Sequence, residues 1–263
     1  MKRVVARPRR SGPADSGDVR HGVARAISKR GYCSRTQAAE LVRAGRVQVN
    51  GRIVRDPETP TRADDRIRID GQDLAAAQTV WIMLNKPRGV VTTASDERGR
   101  DTVYALIDDP ALPWLAPVGR LDKASEGLLL FTNDSTAAAA LIAPESHVDK
   151  TYHVQVDRVP DAALLAALTR GVDVDGGRLA AKSVQVLRHG EKNAWLEIVL
   201  DEGRNRQIRR LLDAHETAVL RLVRVAIGGL ALGELAKGRW RRLDTRDLAR
   251  LRGEITYVRN LSE

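Results

Sequence analysis

The chain has 263 residues, a net charge of +10 at pH 7 and one cysteine, Cys33. Hydrophobic residues make up 43% and charged residues 30%, the balance of a globular protein with one large domain or two unequal ones. One cysteine excludes an internal disulfide or a multi-cysteine metal site, and fits the reducing cytoplasm. We expect neither a membrane span, since no apolar run approaches roughly 18 residues, nor a secretion signal.

The positive charge is concentrated in the first quarter of the chain. Residues 1–20 contain six Lys or Arg and two Asp, residues 21–71 contain eleven basic and six acidic residues, and residues 72–263 contain 27 and 26. This distribution is typical of a polyanion-binding segment attached to a nearly neutral body, although a solvated basic surface without a partner is the alternative. The composition of residues 1–20 predicts a disordered basic arm.

Residues 21–71 are predicted to form a small domain of helices and strands. Ser34 and Gln37 form a capping-box pattern that opens a helix, and Gly45 ends it. Alternating apolar residues on both sides of Asn50-Gly51 indicate a β-hairpin. The candidate residues of this domain for binding a polyanion such as RNA are Lys29, Arg35, Arg43, Arg46 and Arg52.

Residues 72–78 are predicted to be a linker, and residues 79–263 a larger domain. Its strand-like runs are VWIMLN, GLLLFT, TYHVQV, AWLEIVL and LRLVRVAI, and its clearest helical patterns are DAALLAALTRG and RQIRRLLDAH. Some strands follow one another directly and others are separated by helices. This mixture favours an α+β fold over a regular parallel α/β sheet.

Three polar clusters are candidates for a functional site. Asp122 lies in a polar loop before an apolar strand, which suits a reactive side chain, although a lone Asp more often only makes a turn. Tyr152 begins a strand and could stack on a flat ligand or simply pack. Residues 202–210 hold four Arg where a glycine loop enters a helix, which favours anion binding over a solvated face. Lys86 could also contact a nucleic acid, but a turn is enough to explain the Pro and Gly that follow it.

Four motifs occur together in one order. They are LNKPRGVVTT at 84–93, GRLDKASEGLLLFTND at 119–134, KTYHVQV at 150–156 and EGRNRQIRR at 202–210. In these motifs the chain resembles the bacterial ribosomal RNA pseudouridine synthases of the small and the large subunit. The stretch GYCSRTQAAELVRAGRVQVNGR resembles the RNA-binding domain of the ribosomal protein S4 type. A small departure is Ser135, where many members carry Gly after the Asn-Asp turn.

The resemblance implies a small α/β RNA-binding domain, followed by a pseudouridine synthase domain on a mixed, mainly antiparallel sheet with flanking helices. It implies that Asp122 is the catalytic residue and that Arg209 is its ion-pair partner, with Arg204 as the alternative. The other implied substrate contacts are Tyr152 for stacking on the target base, Arg120 for the space that the base leaves or for a phosphate, and Leu222 for the pocket wall.

The chemistry is consistent with a single carboxylate. Pseudouridine formation breaks the C1′–N1 bond of uridine, turns the base and rejoins it through C5, so we expect no cofactor and no metal. Glycosidases use two carboxylates, but activating water would be counterproductive where the base is kept. Attack on C1′ and proton removal from C2′ both remain open for Asp122. Phosphate contacts of the basic region would offset the cost, about a few kcal/mol, of unstacking the uridine.

The expected partner is ribosomal RNA or a ribosomal subunit precursor, and family analogy favours the large subunit. We also expect a cytoplasmic monomer without membrane attachment. Two alternatives stay open: a non-catalytic RNA-binding ribosome assembly factor, and a synthase acting on another RNA. The presence of Asp122 within its whole motif favours the enzyme over the assembly factor.

Overall fold

The computed structural model describes residues 21–75, 77–94, 96, 98–174 and 177–253. The predicted arm at residues 1–20 lies outside these ranges. The chain divides into two compact units, one ending at residue 75 and the other beginning at residue 76. Within the described ranges, no helix combines the length and the apolar composition needed to cross a bilayer.

The first unit packs two helices against a small antiparallel sheet. Its elements are β1 (His21–Gly22), α1 (Val23–Lys29), α2 (Arg35–Arg43), β2 (Val47–Val49), β3 (Arg52–Val54), β4 (Pro60–Thr61), β5 (Ile67–Ile69) and β6 (Gln72–Asp73). The strand order in the larger sheet is β3-β2-β5-β6, and β1 pairs with β4. Ile27, Val42 and Ile67 are almost fully buried and join both helices to the sheet in one core.

Local sequence signals explain the turns of this unit. The predicted capping box is present, since the Ser34 side chain accepts from the Gln37 backbone and the Gln37 side chain accepts from the Ser34 backbone. Asn50 has a φ of 50° and the next residue is glycine, as a tight hairpin turn requires. An equivalent Asp-Gly turn at residues 70–71 brings β6 back onto β5. The first two residues of the predicted linker therefore belong to this sheet; the strand is too short and too polar to be visible in the sequence pattern.

The second unit is built on a nine-stranded sheet. Its elements are β7 (Trp81–Lys86), β8 (Ala116–Val118), β9 (Glu126–Thr132), α3 (Ser135–Ile142), β10 (Lys150–Val156), α4 (Ala162–Arg170), β11 (Val172–Val174), β12 (Gly177–Leu179), β13 (Ser183–His189), β14 (Ala194–Leu200), α5 (Gln207–Asp213), β15 (Val219–Ile227), β16 (Leu230–Ala231), β17 (Trp240–Arg242) and α6 (Thr245–Leu251). Two 3₁₀ helices span Val103–Leu106 and Pro144–Ser146.

Of the eleven strands described in this unit, β11 and β12 form a two-stranded sheet of their own. In the nine-stranded sheet, the main strand order is β13-β14-β10-β15-β9-β7-β17, with β16 paired to β15 and β8 paired to β9. Among the described strands of this sheet, β15 and β9 alone run parallel, and the other pairs are antiparallel. The predicted α+β class with a mixed, mainly antiparallel sheet is confirmed. The five apolar runs predicted as strands form β7, β9, β10, β14 and β15.

Burial patterns differ between β9 and two other strands of the sheet, β10 and β14. All seven residues of β9 are buried, whereas buried and partly buried residues alternate along β10 and β14. The buried face of β10 and β14 packs with Leu168 of α4 and with Ile208 and Leu211 of α5. Because side chains alternate across a strand, this face also carries Tyr152. The fully buried strand β9 and the helix-covered face of β10 and β14 therefore support the loops of the second unit.

Candidate active site

Asp122 lies in the loop that joins β8 to the fully buried strand β9. The backbone N–H of Ser125 donates to the Asp122 carbonyl oxygen at 3.0 Å and closes a turn within the loop. Thr92 donates through its hydroxyl to the Leu121 carbonyl oxygen at 2.8 Å, and the Gly89 N–H donates to the Lys123 carbonyl oxygen at 2.8 Å. These contacts hold the loop backbone, while the Asp122 side chain stays 39% exposed.

Lys86, the last residue of β7, is the internal support of this loop. Its side chain is fully buried, and its Nζ donates to the carbonyl oxygens of Pro87 at 3.0 Å, Asp122 at 3.1 Å and Ser125 at 2.9 Å. Burial lowers the Lys86 pKa to about 8, against the opposing effect of the negative charges of Asp122 and Glu126. The sequence interpretation explained the turn after Lys86 but missed this role, because no local pattern shows where a lysine side chain points.

We predict that the Lys86→Met substitution changes how stability depends on pH. The folded protein binds the Lys86 proton with a pKa of about 8 and the unfolded chain with one near 10.5. Between these values the unfolded chain holds more protons, so the wild-type free energy of unfolding gains a contribution that rises with pH. Below pH 8 this contribution is constant and at its minimum. Urea denaturation at pH 7 to 10 should therefore show the wild type gaining stability relative to Lys86→Met.

The matched control is Lys192→Met, which removes an exposed lysine in the turn between β13 and β14. Its pH dependence should follow that of the wild type, because the other titrating groups are shared. A constant difference between wild type and Lys86→Met across this pH range would contradict the assignment.

The Asp122 loop borders a cavity of about 470 Å³. The sequence-predicted substrate residues meet in its lining, together with parts of β10, β15 and the loop before α5. The predicted residues found there are Arg120, Asp122, Tyr152, Arg204, Arg209 and Leu222. These residues are up to 102 positions apart in the chain, so the fold brings them together rather than any local motif.

The sheet supplies the apolar floor of the cavity. Tyr152 on β10 is 9% exposed, and Leu222 on β15 is 5% exposed. Both side chains belong to the core that also contains Ile208 of α5. The buried ring of Tyr152 is thereby held in place beside the cavity. Its expected stacking on a base stays a prediction.

Arg206, rather than Arg209 or Arg204, forms the ion pair with Asp122. The Arg206 Nη1 lies 3.4 Å from Asp122 Oδ2, and the Arg206 side chain is 49% exposed. Arg206 adopts a left-handed backbone conformation, with φ at 49°, immediately before α5. A long pair between two partly exposed side chains contributes little to stability, about 1 kcal/mol at most.

The two arginines that were expected to pair with Asp122 have other partners. Arg209 donates to the carbonyl oxygens of Ala124 at 3.3 Å and Val219 at 3.5 Å. Its pKa is lowered by burial and by the like charge of Arg206, whereas the charge of Asp122 acts in the opposite direction. Arg204 contacts Glu202 at 2.9 Å and the Arg178 carbonyl oxygen at 3.0 Å. The difference arises because the turn before α5 points Arg206 at Asp122, which residue spacing does not reveal.

In the first unit, the five predicted RNA-binding residues differ in their surroundings. Arg35 pairs with Glu58 at 2.9 Å, Arg46 pairs with Asp70 at 2.5 Å, and Lys29 lies 3.1 Å from the His21 ring. The two remaining predicted residues, Arg43 and Arg52, are exposed and form no ion pair with any residue that the structure describes. Their cationic groups are therefore available to phosphates without breaking an internal pair.

Comparison with known proteins defines the class of protein to which this site belongs. The model of the RNA pseudouridylate synthase family matches residues 80–214, and the S4 domain model matches residues 23–67. The chain belongs to the RNA pseudouridylate synthase family and is an RNA pseudouridine synthase, an isomerase, with an S4-type RNA-binding domain. The predicted family and activity are thereby confirmed.

Particular relatives extend the similarity across both units. The ribosomal large subunit pseudouridine synthase B of Bacillus subtilis is 34% identical over 237 residues, which cover 89% of this chain and 96% of the relative. An uncharacterized RNA pseudouridine synthase of Aquifex aeolicus is 36% identical, covering 86% and 91% of the two chains. A crystal structure of a pseudouridylate synthase aligns with a TM-score of 0.61 and 29% identity, over 88% of this chain and 99% of that one.

Proposed function

We propose that this enzyme converts a specific uridine of large-subunit ribosomal RNA to pseudouridine, with Asp122 as the catalytic carboxylate. The observation that carries the proposal is the cavity whose lining brings Asp122 together with Tyr152 and Leu222. Similarity to the large-subunit synthase of Bacillus subtilis over both units supports the choice of RNA. Because ribosomal RNA is the proposed substrate, we expect the enzyme to act in the cytoplasm, as a monomer.

The proposed reaction conserves all atoms of the nucleotide. The N1–C1′ bond breaks, the uracil turns within the cavity, and a C5–C1′ bond forms. C5 then loses its proton, and N1 ends with a proton. An ionised Asp122 serves either as the nucleophile at C1′ or as the base at C2′, and the partly exposed carboxylate beside the Arg206 guanidinium suits both roles.

Binding energy from outside the cavity would offset the cost of extracting the uridine. Extraction costs about a few kcal/mol and less when the base lies in a loop. We assign phosphate contacts to the first domain, proposed at residues 21–71, and to the basic arm at 1–20. Exposed Arg43 and Arg52 supply cations there. The catalytic domain, proposed at residues 79–263, would then receive the extracted nucleotide with Tyr152 against the base and Arg120 and Arg204 at the rim.

A carbodiimide primer-extension map of pseudouridine in both ribosomal RNAs tests this function. The strains are wild type, a deletion, and the deletion complemented with either the wild-type gene or Asp122→Ala. We expect one large-subunit site to disappear on deletion, to return with the wild-type gene, and to stay absent with Asp122→Ala. A change confined to the small-subunit RNA, or no change in either ribosomal RNA, would overturn the choice of substrate. Restoration by Asp122→Ala would overturn the catalytic assignment.

A further inference from the structure

Arg224 on β15 is a buried cation whose hydrogen bonds are incomplete. The residue is 6% exposed and lines the same cavity as Asp122. Its Nε donates to the Leu128 carbonyl oxygen at 2.8 Å, whereas its buried Nη2 has no hydrogen-bond partner among the residues that the structure describes. A buried N–H without an acceptor costs about 1–3 kcal/mol, more when charged. In a binding cavity, a bound ligand can supply the missing acceptor.

Lys150, the first residue of β10, is a second cation in this cavity. Its side chain is partly buried, and its Nζ makes one long contact, 3.5 Å, to the Asp201 carbonyl oxygen. Burial and the like charge of Arg224 lower the Lys150 pKa, while Asp201 and Asp149 act in the opposite direction. Two positive groups are thus held near each other inside the cavity with hydrogen-bonding capacity to spare.

The register of the sheet places both cations beside the aromatic floor. Arg224 is the direct cross-strand neighbour of Tyr152, and Lys150 precedes Tyr152 by two residues on the same strand. Side chains two residues apart on a strand share one face, so the three groups line one side of the cavity. A base stacked on Tyr152 would therefore present its edge to Arg224 and Lys150.

Depth distinguishes this pair from the arginines at the cavity rim. Arg120, Arg204 and Arg206 are exposed, where a hydrated phosphate can reach them. Arg224 is buried on the sheet, so a phosphate would have to lose its hydration to reach it, whereas a flat neutral base loses less. The acceptors that a uracil base offers at its edge are the carbonyl oxygens O2 and O4.

Building on the function proposed above, we propose that Arg224 and Lys150 donate hydrogen bonds to the uracil O4 and thereby exclude cytidine. Both side chains are donors without acceptor capacity. Cytosine carries an amino group at position 4, so its N–H groups would face the N–H groups of the protein. A site with unpaired buried donors rejects such an analogue strongly.

The test uses an RNA fragment that contains the uridine identified by the pseudouridine map, made with uridine or 4-thiouridine at that position. Sulfur accepts hydrogen bonds more weakly than oxygen. We expect 4-thiouridine to lower the wild-type kcat/KM by about 10- to 100-fold, as loss of a charge-assisted hydrogen bond does. Arg224→Met and Lys150→Met should each lower kcat/KM on uridine by a similar factor. In each variant, replacing uridine with 4-thiouridine should lower kcat/KM by a smaller factor than in the wild type. RNA with cytidine at the target position should displace the uridine RNA more effectively from these variants than from the wild type.

The control is Lys192→Met, which removes a lysine remote from the cavity. Lys192 lies just before Ala194, the first residue of β14, whereas the cavity is lined by Leu200 at the other end of that strand. It should respond to sulfur as the wild type does. Circular dichroism verifies folding, and Lys150→Met carries the test if Arg224→Met does not fold. An undiminished sulfur effect in the folded variants would overturn the inference. The inference would also be overturned if a phosphorothioate at the target phosphate affected the wild type and the variants differently. That result would indicate that Arg224 and Lys150 bind a phosphate. If the pseudouridine map identifies no target uridine, the proposed function itself is overturned.

Discussion

Replacing Asp122 with Asn is expected to abolish pseudouridine formation while leaving the fold intact. The amide has nearly the shape of the carboxylate but can neither attack C1′ nor accept a proton from C2′. Loss of such a group lowers the rate by at least about 1,000-fold. Single-turnover release of tritium from RNA labelled at C5 of uridine measures the rate, because the reaction expels the C5 proton.

The thermal stability of Asp122→Asn should stay close to that of the wild type. Its side-chain ion pair with Arg206 is long and partly exposed, and the loop is held through backbone groups that the substitution keeps. Asp108→Asn, at an exposed position outside the cavity lining, is the matched control and should retain the wild-type rate. An Asp122→Asn enzyme within tenfold of the wild-type rate would refute the catalytic role.

Gly127→Ala is expected to cost more stability than a change of one methyl group suggests. Gly127 has a φ of 100° on β9 at the parallel contact with β15. An added Cβ would lie 2.2 Å from the Arg224 carbonyl oxygen and 2.9 Å from the Arg224 nitrogen, and both are backbone atoms. Since neither strand can yield without breaking its pairing, we expect a loss of at least about 4 kcal/mol, or no folded protein. Urea denaturation measures the loss.

Gly89→Ala separates backbone strain from collision. Gly89 has a φ of 96°, nearly that of Gly127, but an added Cβ would meet no atom within 4 Å. This substitution should cost about 1–2 kcal/mol, the strain of an L residue at positive φ. The excess cost at Gly127 then measures the close approach of β9 and β15. Equal costs at the two positions would show that β15 moves aside readily.

Most elements of the fold were predictable because their signals are local. The capping box at Ser34 and the Asn50-Gly51 turn depend on side chains within four residues of each other. Likewise, Gly171 ends α4 with a φ of 81°, as its position after the helical pattern predicts. The short polar strand β6 was assigned to the linker, since two residues carry no periodicity. Strand order could not be predicted, because paired residues such as Gly127 of β9 and Arg224 of β15 are 97 positions apart in the chain.

The candidate site was predictable to a different degree for each residue. Asp122, Tyr152 and Arg209 follow from motifs, and they do line one cavity. The resemblance implied Arg209, or else Arg204, as the ion-pair partner of Asp122, whereas Arg206 forms that pair. Several arginines lie in this segment, and the backbone direction decides which of them reaches Asp122. The roles of Lys86 and Arg224 were missed, because each is a cation within an apolar strand pattern whose partners come from distant segments.

The sequence by itself determined the chemistry available to this protein: one carboxylate in a loop before an apolar strand, an arginine-rich turn, and positive charge concentrated in the first quarter of the chain. Only the tertiary structure decided which of these groups meet. The reason is physical: charge, propensity and turn geometry belong to a few neighbouring residues. Three features depend instead on strands and loops that are far apart in the sequence. They are the burial of Lys86, the donor of Arg224 without a partner among the described residues, and the pairing of Arg206 with Asp122.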